Sequence, residues 1–330
     1  MRNRILYYLS LSAVIITALI LLCVNIPFLQ KKDSSEDVKS AELSSRSQRD
    51  RNKQDKPQDN RKSQETEDYI LHPANLCLRG NSQLQLDYLV LIFSAPNDFD
   101  QRNAIRETWA SELKERSNSR VAFLLARTKD DRVQRAIESE SYLHADIVQG
   151  THIDHYKNQT LKMKMMMKWA LQYCPNISFL FKCDDDTFVN VGNLLNAMKD
   201  KRTDAIYGDL YINERPHRDP SSKYYVSEKD YNGITFPPFV TGTLYMLGGS
   251  ILRRLYEASE VATFVWLEDV FLTGFVAQKA GVDLIDETAI TSVDMKSACG
   301  VLSRLNAPSM TPKMMRLFWY QIHSTIMKCA

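Results

Sequence analysis

Three consecutive acids end an apolar run and are the first candidates for chemistry. The stretch FLFKCDDDTFVN, residues 179–190, carries Asp184, Asp185 and Asp186. If the chain stays extended there, Asp184 and Asp186 point to one side, because side chains alternate along a strand. Two such carboxylates repel unless a cation lies between them or one is protonated. The pattern predicts a site for Mn²⁺ or Mg²⁺, which prefer oxygen ligands, and a solvated acidic turn is the simpler alternative.

Competing motifs for calcium or phosphate do not fit. An EF-hand that began at Asp184 would need Gly and Glu where the chain has Val189 and Leu195. Neither GxxxxGK[ST] nor GxGxxG occurs in the sequence. A divalent metal that carries a diphosphate in an acidic loop instead predicts an enzyme acting on a nucleotide sugar.

Two further stretches carry charges that fit this hypothesis. In DFDQRNAIRETW, residues 98–109, Arg102 and Arg106 share one helix face while Ile105 and Trp109 share another. The alternative for the arginines is a solvated basic face.

The second stretch is WLEDVF, residues 266–271, where Glu268 and Asp269 interrupt an apolar context. A carboxylate there is a candidate general base. The alternative is that these acids simply favour a helix N-terminus.

Alternating strand and helix patterns predict how these residues are positioned. We predict a mainly parallel sheet covered by helices on both faces, with ligands at the carboxyl ends of the strands. The predicted elements are strands at 89–93, 121–126, 146–148 and 177–183, and helices at 99–115, 130–140 and 155–173.

The second half of the chain is less regular. We predict two short strands around Gly242, a helix over 267–281 that ends at Gly281, and a helix over 311–324 with Pro312 in its first turn. The methionine-rich stretch 161–169 predicts core packing rather than a metal site, with the methionines inward and the lysines outward.

The N-terminus predicts a membrane anchor. Residues 5–24 carry no charge, and twenty helical residues span roughly 30 Å, the thickness of a bilayer core. Arg2 and Arg4 favour a cytosolic N-terminus, so we predict a single-pass type II protein rather than one with a cleaved signal peptide. The predicted domains are a tail at 1–4, an anchor at 5–26, a flexible stem at 27–75 and a folded domain at 76–330.

A net charge of +2 without a basic block gives no support for a nucleic-acid partner.

Two features agree with an oxidising compartment beyond the membrane. Asn158 and Asn176 lie in N-glycosylation sequons. Five cysteines follow the predicted anchor, at positions 77, 174, 183, 299 and 329, and pairing among them is expected.

Several motifs in one order carry a family resemblance. The stretches QRNAIRETW, FKCDDDTFVN, FPPFVTGTLYML and LEDVFLTG, within residues 87–320, resemble the β1,3-galactosyltransferase and β1,3-N-acetylglucosaminyltransferase family. The resemblance implies a GT-A fold, a Golgi location, and Mn²⁺ (or Mg²⁺) bound to a UDP-sugar.

The resemblance also implies roles for individual residues. It implies metal binding by Asp184 and Asp186, donor binding by Asp184, Asp185, Arg102 and Arg106, and Asp269 as the catalytic base. Glu268 and Trp109 are secondary candidates. The implied disulfides are Cys77–Cys174 and Cys299–Cys329.

Three positions depart from the family pattern. Val240 and Phe275 stand where relatives usually have cysteines, which indicates a missing disulfide. Pro308 stands where relatives have a His near the metal, and His323 lies a further helix away.

The resemblance implies inverting β1,3-transfer of galactose from UDP-galactose to a glycan, and the galactosyl-xylose of the proteoglycan linkage region is one hypothesis for the acceptor. Two alternatives stay open. One is transfer of N-acetylglucosamine or N-acetylgalactosamine. The other, motivated by Pro308, is a sugar-binding or scaffold protein of the same fold without turnover.

Overall fold

The fold is built on one eight-stranded sheet. A computed structural model describes residues 69–295 and 297–324, so the predicted anchor at 5–26 lies outside the described residues. Among the helices that are described, none is both long and apolar enough to cross a membrane. The strands are β1 Tyr69–Leu71, β2 Leu78–Arg79, β3 Ser82–Gln83, β4 Leu86–Phe93, β5 Ser119–Arg127, β6 Ile147–Ile153, β7 Ile177–Asp184, β8 Phe188–Val189, β9 Ala205–Tyr211, β10 Phe239–Gly248, β11 Asp283–Asp286 and β12 Asn306–Ala307.

The first half of the sheet is the predicted parallel unit. Its strands lie in the order β6-β5-β4-β7, and every pair among them is parallel. The chain moves outward from β4 to β6 and then returns to place β7 on the other side of β4. The carboxyl ends of β4 and β7 therefore form a topological switch point, where open α/β sheets bind their ligands.

The second half departs from the prediction. Strand β10 is antiparallel to both β7 and β9, β1 is antiparallel to β6, and β11 is parallel to β9, so the whole sheet is mixed. The two short strands predicted around Gly242 are one continuous strand, β10. Its register with β9 shifts between Val240 and Tyr245, and this irregularity interrupts the apolar pattern in the sequence.

Helices cover both faces of the sheet, as predicted. They are α1 Phe99–Glu107, α2 Trp109–Arg116, α3 Asp131–His144, α4 Gln159–Tyr173, α5 Val191–Ala197, α6 Leu252–Ser259, α7 Ala277–Ala280, α8 Ala298–Val301 and α9 Pro312–His323. The helix predicted at 99–115 is broken at Thr108, whose hydroxyl bonds to the carbonyl of Ala104 at 2.6 Å. The helix predicted at 267–281 is a π-helical segment, Val270–Val276, followed by α7.

The methionine-rich helix α4 packs on the sheet. Met163, Met166 and Met167 are fully buried among apolar side chains, which confirms the core prediction. The outward prediction is wrong for Lys162, which is also buried. Its Nζ donates to the carbonyl of Ser94 at 3.0 Å and lies 3.3 Å from Asp154 Oδ1, so polar partners at the strand ends satisfy it.

The folded domain begins earlier than the predicted boundary at residue 76. Tyr69–Leu71 forms an edge strand of the sheet by pairing with β6. A disulfide joins Cys77 to Cys174, as the resemblance implied. Cys299 is also disulfide-bonded, and Cys329, the partner predicted for it, lies outside the described residues.

Candidate active site

The three acids form a turn at the switch point. Strand β7 ends at Asp184, which pairs with Phe93 at the end of β4. The amide of Asp185 donates to the carbonyl of Phe93 at 3.1 Å, and the amide of Thr187 donates to that of Asp184 at 3.2 Å. The extended conformation considered for residues 184–186 is therefore wrong beyond Asp184, because this hydrogen bond turns the chain.

Hydrogen bonds from α1 and from the segment before α9 hold the acidic turn in place. Gln101 Nε2 donates to the carbonyls of Asp185 and Met310, both at 2.7 Å. The amide of Met310 donates to the carbonyl of Asp186 at 2.7 Å. Since Ala307 pairs with Phe188, Pro308 lies beside this turn, at the place where the resemblance puts a metal-site His.

Lys182 connects the acidic turn to the other pair of acids. Its Nζ lies 2.7 Å from Asp184 Oδ1 and 2.7 Å from Glu268 Oε1, and it also donates to the carbonyl of Gly242. The ammonium is almost fully buried and lies over the ring of Phe93, 4.8 Å from the centroid. Burial alone would lower the pKa of Lys182, but Asp184 and Glu268 together raise it, so the lysine stays charged.

Sequence reasoning missed Lys182, although a signal was present. A lysine inside the apolar run FLFKC must either leave the sheet or find buried anions. The structure shows the second outcome.

Asp269 is held at the start of the π-helical segment. Its Oδ2 accepts from the amide of Gly242 at 3.1 Å, and its Oδ1 accepts from the amide of Val270 at 2.8 Å. Tyr245 donates its hydroxyl to Glu268 Oε2 at 3.0 Å. The carboxyl of Asp269 is thus oriented by two backbone donors while it remains partly exposed.

The acids of the site are shifted towards protonation. Burial raises the pKa of Asp185 to about 7, against the effect of the neighbouring Ser94 hydroxyl. Burial also raises the pKa of Glu268 to about 7, although Lys182 opposes the shift. Burial raises the pKa of Asp269 above its ordinary value as well, which suits a group that must accept a proton near neutral pH.

The two arginines are engaged in ion pairs. Arg102 is fully buried, and it bonds to both carboxylate oxygens of Glu140 and to the carbonyls of Ala95 and Pro96. Arg106 bonds to Glu140 and Asp146. The structure thus shows Arg102 fixing the loop that follows β4, and direct binding of a donor by these arginines stays a prediction.

Trp109 lies apart from the site. It is fully buried in the core cluster between the sheet and α2. Its predicted place beside the donor is therefore corrected to core packing.

A cleft of about 530 Å³ opens at the carboxyl ends of β4, β5 and β6. Its lining includes the loop after β4 together with Arg127, Lys129, Asp154 and Asn158. Asn158 donates its amide to the carbonyl of Ile153 at 2.8 Å. Glycosylation at Asn158 and at the exposed Asn176 stays a prediction.

The acidic turn fits a metal held by two carboxylates. Asp184 and Asp186 offer accessible oxygens, and Asp185 Oδ2 is buried without a hydrogen-bond partner. Within residues 69–295 and 297–324, no three His, Cys, Asp or Glu side chains form a ready metal-binding group. Mg²⁺ and Mn²⁺ usually take one or two carboxylates and complete their shell with phosphate and water, so Asp184 and Asp186 are the residues that could hold such an ion.

The acidic turn thus lies at the switch point of an open α/β sheet, the place where such sheets bind their ligands, and Lys182 links its Asp184 to Glu268, next to Asp269. The family model described as Galactosyltransferase matches residues 100–288 of the chain. Because this match covers more than half of the 330 residues, the chain belongs to that galactosyltransferase family.

Named relatives include transferases of two sugars. Human β-1,3-galactosyltransferase 5 is 35% identical over 187 residues, covering 56% of this chain and 60% of that protein. Human lactosylceramide 1,3-N-acetyl-β-D-glucosaminyltransferase is 34% identical over 210 residues, covering 59% and 55%. A rat UDP-GlcNAc:βGal β-1,3-N-acetylglucosaminyltransferase 7 is 31% identical over 257 residues, covering 72% and 64%. This chain spans less than two thirds of each relative.

Solved structures give more distant likenesses. A Drosophila β1,4-galactosyltransferase 7 mutant in complex with manganese, UDP-Gal and xylobiose matches 74% of this chain and 77% of its own, at 10% identity and a TM-score of 0.36. A TM-score this low adds nothing to the family assignment, which depends on sequence.

Proposed function

We propose that the chain is an inverting β1,3-glycosyltransferase that moves galactose from UDP-galactose to a hydroxyl of a glycan. The observation that carries the proposal is Lys182, whose ammonium bonds both to Asp184 of the acidic turn and to Glu268, the neighbour of Asp269 in the chain. A nucleotide sugar in the cleft would bring its diphosphate to the turn and its anomeric carbon towards Asp269. Membership of the galactosyltransferase family supports this assignment.

The residues of the chain divide the reaction between them. Asp269 takes the proton of the acceptor hydroxyl, whose oxygen forms a bond to the anomeric carbon from the face opposite UDP. The bond from that carbon to the diphosphate oxygen breaks, and its electron pair leaves with UDP. One displacement therefore converts an α-linked donor to a β-linked product.

Asp184 and Asp186 would hold Mn²⁺ or Mg²⁺, which supplies positive charge to the diphosphate leaving group. The amides of Gly242 and Val270 keep the Asp269 carboxylate in one orientation before the substrate arrives. Holding a general base in its reactive orientation contributes a large part of the rate acceleration in acid–base catalysis.

The proposed setting is the Golgi membrane, with residues 5–26 as the anchor and the folded domain in the lumen. The acceptor that we propose is the galactosyl-xylose of the proteoglycan linkage region. The triple acid, Ser94–Ala95–Pro96 and the absent cysteine pair at Val240 and Phe275 support that choice. Transfer of N-acetylglucosamine or N-acetylgalactosamine is the alternative, and relatives such as the rat enzyme support the first of these two sugars.

A donor screen on the full-length chain tests the proposal. UDP-galactose, UDP-N-acetylglucosamine and UDP-N-acetylgalactosamine are each offered with a galactosyl-xyloside, with and without Mn²⁺. Manganese-dependent transfer from UDP-galactose is the expected result. No product from any donor would contradict the enzymatic function, and product from another donor alone would correct the sugar.

The Asp269→Asn variant separates turnover from binding. We expect its rate to fall roughly 10²- to 10⁴-fold, as for the loss of a general base, with UDP affinity in calorimetry unchanged. The exposed acid Asp283 provides the control, and Asp283→Asn should keep the parent rate. Retained UDP binding without turnover in the parent chain would favour the scaffold alternative that Pro308 motivates.

A further inference from the structure

Three aromatic side chains, those of Tyr156, Tyr224 and Trp266, belong to segments that meet at Trp266, and we call them the aromatic edge. Tyr156, in the 3₁₀ turn Tyr156–Asn158 after β6, meets the ring of Trp266 edge-on at a centroid distance of 5.7 Å. Trp266 lies three residues before Asp269 in the chain. Tyr224 lies in the loop between β9 and β10. Both tyrosines are exposed, by 48% for Tyr156 and 39% for Tyr224.

The indole of Trp266 is fixed by its own contacts. Its Nε1 donates to the carbonyl of Tyr225 at 3.0 Å, which brings the Tyr224–Tyr225 segment to the same edge. Its carbonyl accepts from the hydroxyl of Thr160 at 3.0 Å, and Lys157 Nζ lies 5.7 Å from the indole centroid. The aromatic edge is therefore preorganised rather than a loose surface cluster.

Tyr156 lies in the same electrostatic environment as the acids. Partial burial, together with Tyr224, Asp269 and Asp184, raises the pKa of Tyr156 to about 12, while Lys182 opposes the shift. The phenol of Tyr156, like that of an ordinary tyrosine, keeps its proton at neutral pH and can donate a hydrogen bond. The aromatic edge thus combines apolar ring faces with a hydroxyl donor near the carboxylate of Asp269.

A pyranose ring matches this chemistry. One of its faces presents C–H groups that can cover an aromatic ring, while its rim carries hydroxyls that need polar partners. We propose that Tyr156, Tyr224 and Trp266 form the subsite for the acceptor sugar ring, with one of its hydroxyls directed at Asp269. This subsite depends on the proposed function, in which Asp269 deprotonates the acceptor.

The donor occupies a different part of the cleft in this arrangement. Its nucleotide takes the cleft at the carboxyl ends of β4, β5 and β6, whose lining includes Arg127, Lys129 and Asp154, and its diphosphate reaches the acidic turn. The aromatic edge then contacts the acceptor sugar, which enters from the side of Asp269. Substitutions in the subsite should therefore change the KM for the acceptor and leave the KM for UDP-galactose unchanged.

Alanine variants of the two tyrosines in the full-length chain test the subsite. Tyr156→Ala and Tyr224→Ala should each raise the KM for a methyl β-galactoside acceptor about three- to tenfold, the loss expected for one aromatic contact. The KM for UDP-galactose and the affinity for UDP in calorimetry should stay at the parent values. Tyr224→Phe, which keeps the ring, should recover most of the acceptor affinity.

Tyr142→Ala is the matched control, because Tyr142 is 94% exposed at the end of α3. It should leave both KM values unchanged. An unchanged acceptor KM in both alanine variants of the subsite would overturn the proposal. A rise in the UDP-galactose KM instead would also overturn it, because the rings would then contact the donor.

A binding measurement separates failure of the subsite from failure of the proposed function. Saturation-transfer NMR detects contact between methyl β-galactoside and the full-length chain without turnover. Titration of the signal should show affinity weakened about three- to tenfold in Tyr156→Ala and Tyr224→Ala, and this result supports the subsite even if no UDP-sugar reacts, a lack of reaction that would count against the proposed function alone. An affinity unchanged by both substitutions overturns the subsite even in an active enzyme.

Discussion

Replacing Lys182 with methionine tests the link between the two acidic pairs. Methionine keeps much of the length of lysine and removes its charge. Asp184 and Glu268 would then lose the ammonium that lies 2.7 Å from each of them. The buried carboxylate of Glu268 would then have no counter-ion, and that of the partly exposed Asp184 would depend on water.

The size of the effect follows from burial. Removing one partner of a buried ion pair costs roughly 3–5 kcal/mol of unfolding free energy, because a buried charge is left uncompensated. Glu268, with a pKa already at about 7, can take up a proton and relieve part of this cost. We therefore expect a loss of about 3 kcal/mol near neutral pH, or roughly 6–12 °C in Tm for a domain of this size. Transfer should fall roughly 100-fold, because Asp184 loses its fixed position and Lys182 no longer holds the carbonyl of Gly242, the residue whose amide orients Asp269.

Denaturation by urea and the transfer rate are measured on the same full-length preparations. Lys201→Met is the control, since Lys201 Nζ pairs with Glu287 Oε2 at 2.5 Å and lies over the ring of Tyr207, outside the cleft. The control should lose stability without a comparable loss of transfer below its melting temperature. The reasoning fails if Lys182→Met keeps parent stability and transfer, or if Lys201→Met loses as much transfer as Lys182→Met.

Three further substitutions have expected outcomes. The folded pKa of Glu268 is about 7 against an ordinary 4.5. Between pH 4.5 and about 7 the folded chain therefore binds one proton more than the unfolded chain. The unfolding free energy of the parent, measured by urea denaturation, should fall relative to that of Glu268→Gln as the pH rises through this range, by at most about 1.4 kcal/mol per pH unit. Thr273→Val should cost roughly 1–3 kcal/mol by the same assay, because Thr273 Oγ1 accepts from the amide of Val240 at 3.0 Å and bonds to the carbonyl of Asp269 at 2.7 Å. Arg102→Lys should lower the unfolding free energy by about 3 kcal/mol and weaken UDP binding in calorimetry, because a lysine cannot hold Glu140 and the loop after β4 together. For each of the three substitutions, a value equal to that of the parent would contradict the expectation.

The first half of the sheet could be predicted from the sequence because each strand there is buried on both faces. Such strands appear as short apolar runs, and the connecting helices separate them clearly. The place of the acidic turn followed directly, since a run that ends in Asp184 must bring its carboxyl end to the switch point. The turn itself could not be predicted, because the hydrogen bond that closes it joins the amide of Thr187 to the carbonyl of Asp184, and no apolar pattern in the sequence marks that contact.

The second half resisted prediction for physical reasons. Strand β10 pairs with β7 on one side and with β9 on the other, and its register slips between Val240 and Tyr245. A local irregularity of this kind breaks the alternation from which strands are recognised. The π-helical segment Val270–Val276 likewise has a period other than that of an α-helix.

The arginines show why a motif predicts chemistry better than it predicts contacts. Arg102 and Arg106 share a helix face, and two guanidiniums on one face are equally suited to a phosphate and to a carboxylate. Glu140 and Asp146 are distant in sequence and follow no pattern that would pair them with α1 in advance. Only the fold brings them to the arginines, and it gives Arg102 the role of shaping the loop beside the cleft.

Lys182 and Lys162 extend this argument to the site as a whole. Both lysines lie in stretches that are otherwise apolar, and both are buried at the carboxyl ends of the strands, where acids and carbonyls satisfy them. A buried ammonium is expensive unless its partners are fixed, so each lysine requires its acids as much as the acids require it. Lys182 therefore supplies a fixed positive charge to Asp184 before any metal or nucleotide binds, and Lys162 does the same for Asp154 beside the loop after β4.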